Sequence, residues 1–147
     1  MPSPLAVVDA SLVIKAILPN PEITQCQAIL DRLQGHELVA PALWVYEVTS
    51  TLTKAVHFGQ ITAEEGGDAL EQALRLGVHL ILLDPIEVGT AYAQTLALQR
   101  STAYDSFYLV LAKTLEADFW TADKRLIRSM GDQKPAWLRG IGDLTGD

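Results

Sequence analysis

Apolar positions along this chain fall into two textures, short unbroken runs and longer stripes at helical spacing. "LAVVDA" at residues 5–10 is apolar and β-branched without polar alternation. It predicts a strand buried on both faces, hence a parallel sheet. "SLVIKAIL" reads as a helix that stops at "PNP". Asn20 as N-cap and Pro21 at the first helical position predict a helix over 21–33. "HELVAP" predicts a second strand, and Pro41 opens a helix to about Phe58. Val45, Val48, Leu52, Ala55 and Val56 form its apolar stripe, and Gly59 ends it. Thr62 and Glu65 make a capping box for the helix in "ITAEEGGDALEQALRL", which Gly66-Gly67 weakens. "VHLILLD" predicts a third strand and "PIEVGTAYAQTLALQR" a further helix. "YDSFYLVLAKTLE" is apolar nearly all round and predicts a buried helix. "ADFWT" predicts a fourth strand, "DKRLIRSM" a short helix and "AWLRGI" a fifth strand. This alternation predicts an α/β three-layer sandwich: a central, mostly parallel sheet of four to five strands flanked by helices. No linker divides the chain, so residues 1–147 read as one domain.

Composition narrows the class. The chain has 147 residues, 49% hydrophobic and 20% charged, an ordinary globular balance with enough length for a core. No stretch reaches the roughly 18 apolar residues of a membrane span. The opening "MPSPLAVVDASL" lacks the basic region of a signal peptide. A single cysteine, Cys26, excludes an internal disulfide and fits a reducing, cytoplasmic setting. The net charge of −7 argues against broad affinity for nucleic acid. The charge is uneven, however. Lys124, Arg125, Arg128, Lys134 and Arg139 are five of the eleven basic residues, and the stretch they span holds one acid, Asp132. That stretch is either a local holder of phosphates or a solvated helix face followed by a basic loop.

Three acids fall where ligands bind in such a sheet, outside the carboxyl ends of the strands. Asp9 ends the first strand, Asp123 follows the fourth, and Asp105 lies in the first turn of the buried helix. Each also has a plain reading. Asp9 can cap the helix that begins near Ser11; Thr102-x-x-Asp105 matches a capping box; Asp123 or Thr121 can cap "DKRLIR". Grouped carboxylates repel, by roughly 4 kcal/mol for two charges about 4 Å apart at an effective dielectric near 20. Such a group persists by taking up protons or by holding a cation. Oxygen ligands without histidine or cysteine favour Mg²⁺ or Mn²⁺. His36, His57 and His79 form no ligand spacing, and no serine or cysteine has a histidine partner suited to nucleophilic catalysis.

"VVDASLVIKAILP", "PALWVYEVTSTLTKAV" and "TAYDSFYLVLAKTLEADFWTADKRL", in that order, resemble the PIN domain, with the VapC-type ribonuclease toxins of toxin–antitoxin pairs as the nearest kind. The resemblance covers most of the chain and is weakest over 59–100. It implies a metal-dependent endoribonuclease that hydrolyses RNA, with four acids holding one or two Mg²⁺ or Mn²⁺ ions. By position these are Asp9, Glu47, Asp105 and Asp123, with Ser11 and Thr121 as supporting hydroxyls. Periodicity alone makes Glu47 a solvated residue, so only the resemblance brings it into the site. Trp120 is bulkier than the residue usual before the Thr-x-Asp of the family, and is either core or cleft wall. Lys124, Arg125 and Arg128 are the expected RNA-phosphate contacts. The resemblance also implies a homodimer and an inhibitory small antitoxin, and the lack of a long apolar stretch implies no membrane partner. Two rivals stand beside it. One is a receiver domain, with Asp84 in "VHLILLDP" as phospho-acceptor on a central strand. The other is a PIN fold that binds partners without catalysis.

Overall fold

The hydrophobic runs assemble into one five-stranded, all-parallel sheet in the computed structural model, which describes residues 3–144. The outermost residues of the 1–147 span lie outside that range. In chain order the elements are β1 Leu5–Val8, α1 Ala10–Ile17, α2 Ile23–Arg32, β2 Glu37–Pro41, α3 Leu43–His57, α4 Ala63–Arg75, β3 His79–Ile81, α5 Pro85–Ala97, α6 Tyr104–Leu115, β4 Asp118–Trp120, α7 Lys124–Met130 and β5 Leu138–Arg139. Two short 3₁₀ turns, Gly131–Gln133 and Ile141–Asp143, complete the C-terminal part.

Strand order is β3-β2-β1-β4-β5. The chain therefore builds outward from β1 to β3, then crosses back to β4 on the other side of β1. With right-handed crossovers, α1–α4 cover one face and α5–α7 the other. The order reverses between β1 and β4, which pair through Ala6–Asp118, Val7–Phe119 and Val8–Trp120. That reversal opens a crevice at the carboxyl ends of these two strands. Val7, Val8 and Phe119 are fully buried, as a strand covered on both faces requires. Tyr108, Leu109 and Leu111 of α6 join Leu12 and Val13 of α1 and Trp44, Val48 and Leu52 of α3 in one continuous core. Among the described residues no helix is long and apolar enough to cross a membrane.

Three boundaries differ from the sequence expectation. Pro41 does not open α3; it ends β2 opposite Ile81, and the helix starts at Leu43. A proline fits here because a strand terminus tolerates a missing donor. Likewise α2 becomes regular at Ile23, although Asn20 still takes the Glu22 N–H on its Oδ1 at 2.9 Å. Asn20 thus caps a turn that leads into the helix. The expected Thr102–Asp105 capping box is absent: Ala103 is the N-cap of α6 and no side chain caps it. The Thr62–Glu65 box is present in full, with bonds of 3.0 and 2.8 Å. Gly66 has a packing reason, since a Cβ there meets Val56 Cγ2 at 2.9 Å across the α3–α4 contact.

These two sites make a paired test. Thr62→Ala should cost about 1 kcal/mol of stability, the usual worth of an N-cap, while Thr102→Ala should stay within about 0.5 kcal/mol. Urea unfolding of the two variants measures both.

Candidate metal and nuclease site

The crevice at the sheet reversal gathers the acids. Asp9 directly follows β1 and its backbone N–H is held by Trp120 O at 3.0 Å. Its side chain does not cap α1. Instead Asp9 Oδ2 accepts from Thr121 Oγ1 at 2.5 Å and from Ser11 Oγ at 3.0 Å. Each hydroxyl accepts in turn from the loop after β4. Thr121 Oγ1 takes the Asp123 N–H at 2.9 Å, and Ser11 Oγ takes the Ala122 N–H at 3.2 Å. Two small hydroxyls therefore lock the end of β1 to the end of β4 and orient the carboxylate between them. Burial raises the Asp9 carboxyl to about 6, against the pull of those two hydrogen bonds, and Asp105 raises it further.

Glu47 corrects the periodicity reading. It lies off the apolar stripe of α3, yet it is half-buried, because α6 passes beside it. Tyr108 Oη donates to Glu47 Oε1 at 2.6 Å, and the Tyr108 ring stacks on Phe119 at 5.2 Å. Burial raises Glu47 to about 7, the Tyr108 bond opposes this, and Asp9 and Asp105 add to the rise. Burial also pushes the Tyr108 phenol well above its ordinary value, with the charges of Asp9 and Glu47 behind it. The phenol remains a fixed donor.

Asp105 is not a cap either. It is partly buried and ion-paired with Arg100 Nη2 at 2.7 Å. Burial raises its carboxyl, Arg100 lowers it and Asp123 raises it. Asp123 does cap a helix: its Oδ1 accepts the N–H groups of Arg125 at 2.9 Å and Leu126 at 3.3 Å. The plain reading thus holds for Asp123 and fails for Asp9 and Asp105. Charge nevertheless links the acids in a chain: Asp105 raises Asp9, Asp9 and Asp105 raise Glu47, and Asp123 raises Asp105.

Among the described residues no three acid, histidine or cysteine side chains are drawn together at ion-binding distance. The donor set still fits a hard divalent cation. It is all oxygen, it is desolvated, and three of its members hold protons more tightly than usual. A cation relieves the mutual repulsion that the proton otherwise relieves.

A cleft of about 350 Å³ adjoins the acids, lined by Ser11, Lys15, Ala122, Asp123, Lys124, Arg125 and Arg128. Lys124 is tied to Glu22 at 2.5 Å and Lys15 to the same carboxylate at 2.9 Å. Arg125 and Arg128 are exposed and, among the described residues, have no acid partner. Lys134 and Arg139 face Asp143 and Asp118 instead. Trp120 is core: it is buried, with the Arg139 guanidinium 4.5 Å and that of Arg32 5.4 Å from its ring centroid. Trp44 is buried too, so neither ring is free to stack on a base. Sequence reasoning missed Tyr108, Arg100 and Lys15. Their only sequence signal is polar tips, on an apolar helix, in a loop and on a short helix.

The receiver alternative is not built. β3 is an edge strand, and the exposed Asp84 caps α5, accepting from Glu87 N at 2.8 Å.

The sequence matches the PIN domain family over residues 6–131. No curated protein matches the chain. Among solved structures, the chain is similar in fold to PAE2754 from Pyrobaculum aerophilum, with a TM-score of 0.68 and 15% identity over 98% of each chain.

Two outcomes test this electrostatic description in metal-free protein. A carboxyl whose folded pKa lies above its unfolded value binds more protons in the native state. Stability therefore falls as pH rises between 3.8 and about 6 for Asp9, and between 4.5 and about 7 for Glu47. Thermal unfolding across that range should show the loss, and Asp9→Asn should flatten the lower part. Tyr108→Phe removes a bond that lowers Glu47, so the Glu47 carboxyl should titrate above about 7 by carbon-detected NMR.

Proposed function

The chain belongs to the PIN domain family, whose members are generally nucleases, and on that premise we propose that it is an Mg²⁺- or Mn²⁺-dependent endoribonuclease. The observation that carries the proposal is the set Asp9, Glu47, Asp105 and Asp123 at the sheet reversal, linked by their charges, three of which have no capping role. These four would hold the metal. When bound, the metal supplies Lewis-acid stabilisation of the phosphate and activation of the attacking water.

The remaining work belongs to the chain. Ser11 and Thr121 fix the Asp9 carboxylate by donating to its Oδ2. Tyr108 fixes Glu47 by donating to its Oε1. Asp123 keeps one oxygen on the start of α7 and so ties the acid set to the helix that carries Arg125 and Arg128. Those two arginines and Lys124 line the adjoining cleft and suit phosphates on either side of the scissile bond. Phosphate contacts of this kind position a strand without reading its sequence. A net charge of −7 makes the local patch matter, because the rest of the surface repels RNA.

The toxin of a type II toxin–antitoxin pair is the finer form of this proposal. Two features support it. An acid crevice fits the basic side chain of an inhibitory antitoxin. Leu82, just after the edge strand β3, and Ile86, Tyr92 and Leu96 of α5 are 87%, 81%, 65% and 58% exposed, apolar surface that suits a homodimer contact. The silent-binding alternative would need no coupled acids, and all four are present.

Asp9→Asn and Asp105→Asn should each lower cleavage of single-stranded RNA in Mn²⁺ by more than about 100-fold, beyond the range of an outer-shell change, with circular dichroism unchanged. Wild-type cleavage by either variant contradicts the proposal. Arg125→Gln should weaken RNA binding for every sequence alike and reduce the salt slope by about 0.7.

A further inference from the structure

Arg100 has no part in the quartet, yet it touches it. It follows α5 at a turn where Gln99 takes a left-handed φ of 56°, and its own N–H bonds Thr95 O at 3.2 Å. The guanidinium then spans two elements. Nη2 donates to Asp105 Oδ2 at 2.7 Å, and Nη1 donates to Ser129 Oγ of α7 at 2.8 Å. Both side chains of the ion pair are 23% exposed. At that depth the attraction is less screened than on the surface.

From this geometry we infer that Arg100 is the protein's own counter-cation for Asp105 in the metal-free site, and that a divalent cation must displace it to bind there. The inference rests on the proposed metal site and adds a residue that sets its affinity. One carboxylate cannot serve both cations at full strength. A guanidinium 2.7 Å from Oδ2 occupies the side of the oxygen that it faces, and its charge repels a second cation nearby. Exchange also selects the ion. A monovalent ion brings no more charge than the guanidinium it replaces and forfeits a charge-assisted hydrogen bond. A divalent ion brings twice the charge. Ser129, a neutral hydroxyl, holds the other arm of the fork whether or not Asp105 is engaged.

The plain alternative is a strut, in which Arg100 merely ties the loop before α6 to α7. The two differ on addition of Mg²⁺. With exchange, the Arg100 Nε–Hε resonance of wild-type protein should move with the midpoint that calorimetry gives for Mg²⁺ binding. Arg100→Gln should bind Mg²⁺ about tenfold more tightly than wild type, as removal of a unit charge at short range requires. Ser129→Ala, which keeps the ion pair and cuts the strut, should bind Mg²⁺ within about twofold of wild type. An Arg100 resonance that stays still at Mg²⁺ saturation overturns the inference, as does Arg100→Gln binding no more tightly than wild type. If wild type shows no Mg²⁺ binding that depends on Asp105, the metal-site proposal falls and this inference falls with it.

Discussion

Desolvated carboxylates in one crevice are the constraint around which the rest of the molecule is arranged. Each of Asp9, Glu47 and Asp105 loses water on folding, and each is pushed by another acid. Nothing in a hydrophobic core favours that arrangement. The fold tolerates it by giving each acid a donor: hydroxyls for Asp9, a phenol for Glu47, a guanidinium for Asp105 and backbone N–H groups for Asp123. Each donor comes from a different place in the chain, so the crevice also knits β1, α3, α6 and α7 together. The repulsion that remains is what a cation can relieve.

Topology supplies the place. The parallel sheet reverses its building direction between β1 and β4, and the chain after each of these strands leads to an acid. The long pairings Asp9–Thr121 and Glu47–Tyr108 span 112 and 61 residues. Their loop-closure cost grows only slowly with length, and the buried Phe119, Trp120 and Tyr108 around them repay it through packing. Rigid core beneath and acid rim above are thus one structure: Tyr108 stacks on Phe119 with its ring and holds Glu47 with its oxygen.

What the sequence made legible follows physical range. The alternation of strands and helices and the Thr62–Glu65 box are set by near neighbours, and both were readable. Asp123 was readable as a cap for the same reason. Asp9 and Asp105 stood equally open to capping, because a local pattern carries no record of Thr121 or of the backbone that leaves Ala103 as N-cap. Glu47 was misjudged by periodicity, since its burial comes from α6 and not from its own helix. Only resemblance to a family put it in the site. Pro41 misled because a strand end and a helix start accept proline equally well. Arg100 and Tyr108 carried no local signal beyond a polar tip, as each acts through a residue on another element or turn.

One measurement bears on whether the four acids make one site: calorimetric titration with Mn²⁺ of wild type, Asp9→Asn, Glu47→Gln, Asp105→Asn and Asp123→Asn, with Asp84→Asn as control. Wild type and the control should bind saturably, and all four other variants should bind more weakly or not at all while they remain folded. Binding that is unaltered in Asp9→Asn and Asp105→Asn, or absent from wild type, would contradict a single site.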